Sequence, residues 1–198
     1  MKISIDMDGV LTDFVGGFRN IQRSLGRTVP DVDPNDYDFK SWNLTKEQFS
    51  EGFKKIKTTD GFWEKLSPYK ENVTALRNFI HGVQDQEIFF TTSRATSGGA
   101  SISTQTRRWL DNHELWSTWR NYTTVLPVVS AGDKVSLYTA LGITHSIDDY
   151  GPTVLNCENL KGHQPFLLDR SWNREYIPLR RVSKFQEFLD AVKADLAE

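Results

Sequence analysis

Five short apolar runs punctuate the chain, at residues 3–6, 87–91, 124–129, 145–147 and 166–168. They are rich in Ile, Val, Phe and Leu and lack a helical period, so each predicts a strand covered on both faces. Between them, apolar positions recur every three or four residues. Residues 71–82 predict a helix that stops at Gly82, and residues 103–115 another, with Ile102, Trp109 and Leu110 toward one side. Residues 132–142 set Val135, Leu137, Tyr138 and Leu141 ahead of a C-terminal Gly142. The last predicted helix, 183–196, opens on Ser183 as N-cap and keeps Phe185, Phe188, Leu189 and Val192 on one stripe.

Strands alternating with helices predict an α/β fold with a parallel sheet. Ligands of such sheets bind beyond the carboxyl ends of the strands. Asp6 and Asp8, then Thr91, Thr92 and Ser93, then Asp148 and Asp149 all fall at predicted strand ends. Residues 15–70 break the alternation. They carry Phe18, Phe39, Trp42, Phe49, Phe53, Phe62 and Trp63, with "PDVDPND" as a loop, and read as a small helical insert. An insert of that length at a sheet edge is usually functional, often a lid.

Length and charge narrow the partners. The 198 residues suffice for one domain with a modest insert. The net charge is −2, and short basic pairs such as Arg107-Arg108 and Arg180-Arg181 do not make a track for nucleic acid. Cys157 is the sole cysteine, so no internal disulfide can form, and its setting after "TVLN" suits packing. The chain enters a strand almost at once, and no apolar run approaches the roughly 18 residues a membrane span needs. A soluble, cytoplasmic protein with no membrane partner is expected.

The strand ends carry the chemistry. Buried carboxylates are costly unless neutralised. If the chain turns after Asp6, as Gly9 permits, Asp6 and Asp8 can share a pocket with Asp148 and Asp149. An all-oxygen set of this kind suits Mg2+. Lys134 would offset surplus negative charge and hold an anion, and Thr92 and Ser93 would donate to phosphate oxygens. Each feature alone has an ordinary structural reading: a solvated turn, a strand-closing Thr, a surface Lys. Their order along the chain is what argues otherwise.

"DMDGVLTD", "FFTTS", Lys134 and "SIDD" occur in the order of the four motifs of the haloacid dehalogenase-like (HAD) hydrolase superfamily, which this chain resembles. The resemblance implies a Rossmann-like three-layer fold with a central parallel sheet and a small helical cap inserted after the first strand. Residues 1–14 and 71–198 would form the core and 15–70 the cap. It implies that Asp6 is a nucleophile that becomes phosphorylated, and that Asp8 is the general acid and then base. Thr92, Ser93 and Lys134 would bind phosphate. Mg2+ would be held by Asp6, the Asp8 carbonyl and Asp149, with Asp148 in support or in exchanged roles. A proton donor at Asp8 favours phosphate-ester cleavage over dehalogenation.

More of the chain is similar to one branch, the 5'(3')-deoxyribonucleotidases, in particular its bacterial and phage members. "DMDGVLTDFVGGF", "GFWEKLSPYKENVTALRNF", "RRWLDNH" and "FLLDRSWNR" carry this, although Pro is more usual than Ser171. The implied substrate is a deoxyribonucleoside monophosphate. Phe14 matches an aromatic position of the branch's base pocket. Trp42 and Trp63 are cap candidates for base stacking, worth roughly 1–3 kcal/mol per base. Phe49 and Phe53, four apart, are expected in the cap core. Arg94 stands where animal members have Pro, and is a candidate phosphate or ribose contact. Rival readings are a phosphatase for another small ester, such as a sugar phosphate, or one for nucleic-acid 3'-phosphate ends. A monomer or homodimer is expected.

Overall fold

The computed structural model describes residues 1–116 and 122–197. Six parallel strands form one sheet: β1 (Lys2–Asp6), β2 (Glu87–Thr92), β3 (Tyr122–Pro127), β4 (His145–Asp148), β5 (Gln164–Leu168) and β6 (Arg181–Val182). Their order is β3-β2-β1-β4-β5-β6. β1 is therefore central, flanked by β2 and β4, which explains why its sequence reads as a continuous apolar run.

Alternate residues of β2 divide the core. Ile88 and Phe90 join Ile3, Ile5 and the apolar faces of α3 (Lys70–Gly82), α4 (Ile102–Asn112) and α7 (Phe185–Leu196) on one side. Phe89 packs on the other with Tyr138 of α5 (Ala131–Leu141) and Cys157 of α6 (Gly151–Cys157). Cys157 is fully buried there. Helix α5 ends at Gly142, whose φ of 66° serves the turn back to β4.

Residues between β1 and α3 hold a separate cluster. Helix α1 (Phe14–Ser24) is capped by Asp13, which accepts from the Gly16 N–H at 2.7 Å, and α2 (Lys46–Thr58) opens with a Thr45/Gln48 capping box. Their inner faces, with Phe39, Trp42, Phe62, Trp63 and Leu66, bury a core of their own. A Cβ on Gly52 of α2 would sit 2.7 Å from the Phe18 ring, so the close approach of the two helices requires glycine there.

Several boundaries differ from the sequence reading: α4 ends at Asn112 rather than 115, and β5 starts at Gln164 rather than 166. β3 starts and ends two residues earlier than 124–129, because its ladder on β2 ends where Thr92 pairs with Pro127; Val129 is left exposed. Helix α7 is capped by Lys184, not Ser183. The Ser183 hydroxyl and N–H are both taken by the Glu187 carboxylate, at 2.7 and 3.2 Å, which draws Ser183 out of the cap position. The short strand β6 and helix α6 have too little pattern to read from sequence alone.

Candidate active site

Strand register brings the acidic groups together. Ile5 pairs with Phe90 on one side and Ile147 on the other, so Asp6, Thr91 and Asp148 come abreast at the carboxyl edge. This is where the strand order reverses, the crevice favoured for ligands in doubly wound sheets. The chain then turns through Gly9, whose φ is 82°. A Cβ on Gly9 would lie 2.2 Å from the Asp149 carboxylate. Glycine is needed here both for the left-handed turn and for that approach.

One carboxylate oxygen from each of Asp6, Asp148 and Asp149 lies within 4.8 Å of the others, and all three residues are buried. The Lys134 ammonium, in the first turn of α5, bridges Asp6 at 2.5 Å and Asp148 at 2.8 Å. Asp148 also accepts from the Tyr150 N–H at 2.9 Å, and Asp149 from the Trp172 indole at 2.7 Å. Lys134 thus pairs with two of the three carboxylates, and Asp149 stands outside that pairing. Burial drives the Asp6 carboxyl well above the usual range; Lys134 opposes this, and Asp148 and Asp149 reinforce it. Burial, then the Asp148 charge, raises Asp149 to about 7. The unpaired negative charge and the all-oxygen donor set fit a hard divalent cation such as Mg2+.

Asp8 is held quite differently. Arg94 Nε and Nη2 grip its two oxygens at 2.7 and 2.8 Å, and the Thr12 and Thr92 hydroxyls add bonds at 2.7 and 3.2 Å. Burial alone would raise the carboxyl, but Arg94's charge and hydrogen bonds, with those of the threonines, outweigh it and hold the group below its ordinary value. Arg94 also donates to Thr106 at 2.8 Å and lies 4.8 Å over the Trp63 ring.

A cavity of about 140 Å³ opens between this edge and the helical insert. Phe14, Phe39, Phe49, Phe53, Trp63 and Trp172 form its apolar wall, and Asp8, Ser93 and Asp149 reach its charged end. Phe14 and Trp63 stack on each other, 5.8 Å between centroids.

Most of the residues singled out in sequence converge here: Asp6, Asp8, Asp148, Asp149, Lys134, Thr92, Ser93, Phe14 and Trp63. Two readings change and a third, the core placement of Phe49 and Phe53, is extended. Arg94 is not at the cavity wall; its side chain is fully buried against Asp8, because that carboxylate offers a guanidinium a two-pronged partner. Trp42 faces away, its indole donating to the Val32 carbonyl at 3.2 Å and its ring against Phe39. Phe49 and Phe53 pack in the insert's core but also line the cavity. Sequence reasoning missed Phe39, Tyr37 and Trp172 as lining residues. Trp172 lies in the "DRSWNR" segment whose likeness was noted but whose role was not.

Solved structures share this fold. A Thermotoga maritima structure described as a beta-phosphoglucomutase is 15% identical, with 98% of each chain covered and a TM-score of 0.53. A dehalogenase in an intermediate complex is 12% identical, with 96% of each chain covered and a TM-score of 0.54. No curated protein matches the chain. The fold is that of the HAD-like hydrolases, and the family match makes the chain an enzyme that cleaves phosphoric monoesters. Residues 1–196 match the model of the family described as 5' nucleotidase, deoxy (pyrimidine), cytosolic type C protein (NT5C), and the chain belongs to that family.

Proposed function

We propose that this enzyme hydrolyses 5'(3')-deoxyribonucleoside monophosphates to deoxynucleoside and phosphate, with Mg2+ held by Asp6, Asp148 and Asp149 and the Asp8 carbonyl. The observation that carries the reading is the buried cluster of Asp6, Asp148 and Asp149 around Lys134, of which Asp149 also lines an aromatic cavity. When bound, Mg2+ would neutralise the acidic cluster and the charge on a phosphoryl group.

Asp6 attacks phosphorus in line, and the ester oxygen leaves with a proton from Asp8. Water then attacks the phospho-aspartate and gives its proton to Asp8, which restores Asp6 and releases phosphate. Asp8 is ionised while Arg94 grips it, so before it can protonate the leaving oxygen it must leave that fork and take up a proton from solvent. Lys134, Thr92 and Ser93 hold the phosphoryl oxygens. The insert, residues 15–70, acts as the cap that selects the substrate: its Trp63, with Phe14 just before it, supplies the flat apolar surface a base requires. The family's cytosolic description supports a cytoplasmic setting, and no helix among the described residues is long and apolar enough to cross a membrane.

The test is phosphate release from a panel of deoxynucleotides, ribonucleotides, sugar phosphates and a 3'-phosphorylated oligonucleotide, with Mg2+ and with chelator. Deoxynucleotides should give the highest kcat/KM, chelator should stop turnover, and Asp6→Asn should reduce it to background. Sugar phosphates outrunning every nucleotide would overturn the substrate; full activity in Asp6→Asn would overturn the mechanism.

A further inference from the structure

The segment after β5 absorbs no part of the mechanism above, yet four consecutive side chains in it donate into the site from different sides. Arg170 Nε reaches the Gly9 carbonyl at 2.7 Å. The Ser171 hydroxyl reaches the Pro34 carbonyl, in the insert, at 2.7 Å. Trp172 Nε1 reaches Asp149 Oδ2 at 2.7 Å. Asn173 Nδ2 reaches the carbonyls of Asp149 and Leu168, both at 2.8 Å. Arg181 braces the strap from outside through Asn173 Oδ1 at 2.9 Å and Asp169.

Asp149 is therefore gripped at backbone and side chain by neighbouring residues. Its carboxylate sits over the bare Cα of Gly9, so the indole N–H is the directional bond that sets how the carboxyl group is turned. Trp172 is 4% exposed, and its ring is part of the cavity wall. A hydrogen-bonded partner that orients a ligating carboxylate tunes metal affinity about as strongly as some ligands do.

We propose that Trp172 is a positioning residue: its indole N–H aims Asp149 at the divalent ion, while its ring walls the substrate cavity. The role rests on the metal-dependent reading given above. It makes the 170–173 strap the element that fixes the first-motif turn, the insert and the metal ligand in one arrangement.

The experiment is calorimetric titration of the full chain with Mg2+ alone, without substrate. Trp172→Phe keeps an aromatic wall and removes the N–H. Its Kd for Mg2+ should rise on the order of 10–100-fold, and saturating Mg2+ should recover most of kcat. Should that variant fold poorly, benzothienylalanine at position 172 removes only the N–H from the same bicyclic shape and should give the same loss. An unchanged or tighter Kd in either variant overturns the positioning role and leaves the proposed reaction standing. A wild-type chain that takes up no Mg2+ overturns both, and the chelator arm of the phosphate assay then shows turnover without metal.

Discussion

Asp6 and Asp8 stand two residues apart on the same turn, Asp6 buried and Asp8 partly so, yet they lie in opposite electrostatic surroundings. Asp6 shares a single ammonium with Asp148, and a third carboxylate, Asp149, lies beside them. Asp8 has a guanidinium to itself and two hydroxyl donors besides. The first arrangement leaves negative charge unbalanced, and the second is complete as it stands. A deficit of positive charge in a buried site marks where a cation belongs. A satisfied carboxylate marks a group that is parked, and that must be released before it can move a proton.

This contrast can be broken by removing each cation in turn. Lys134→Met removes the cation that pairs with Asp6 and Asp148, and should cost the metal-free protein about 3–5 kcal/mol at pH 8. Mg2+ should then raise its melting temperature more than it raises that of the wild type. Arg94→Met should cost less, about 1–3 kcal/mol, because the Asp8 side chain is 20% exposed and can take up water. Mg2+ should stabilise that variant no more than the wild type. Denaturant melts with and without Mg2+ read both, and equal Mg2+ responses in the two variants would erase the distinction.

The pH dependence sharpens it further. Asp149 binds its proton near pH 7 in the folded chain, against an ordinary value of 3.8. Its folded-state value is raised, so the native chain holds more protons than the unfolded one between those limits. The stabilisation this gives metal-free protein is complete below about pH 3.8 and is lost as pH rises through 7. Mg2+ competes with that proton, so its affinity should weaken by up to about tenfold per pH unit below 7 and level off above it. Calorimetric titrations from pH 6 to 8 check this. A flat profile would mean that Asp149 carries no proton to displace.

The sheet and its acidic edge were legible because buried parallel strands write themselves as apolar runs, and a carboxylate ending such a run is conspicuous. Strand register then did the rest: Asp6 and Asp148 meet because Ile5 and Ile147 pair. Arg94 was not legible. Its position beside Ser93 puts it at the edge, but a side chain of that length turns toward whatever partner is near, here Asp8, Thr106 and Trp63 from three distant segments. Phe49 and Phe53 show the same limit. Their spacing says they share a helix face, not that a cavity lies over it. The strap at 170–173 was opaque for the same reason, since its partners Gly9, Pro34 and Asp149 are remote in sequence.

The central place of β1 also bears on how the molecule assembles. One of its neighbours, β4, lies some two-thirds of the chain away, so the middle of the sheet closes only after the longest loop has been gathered in. The mutual repulsion of Asp6 and Asp148 is felt only at that final closure. A divalent ion held by both would therefore have nothing to grip in the early collapsed chain. In a chevron measured with and without Mg2+, the unfolding arm should slow while the folding arm stays where it was.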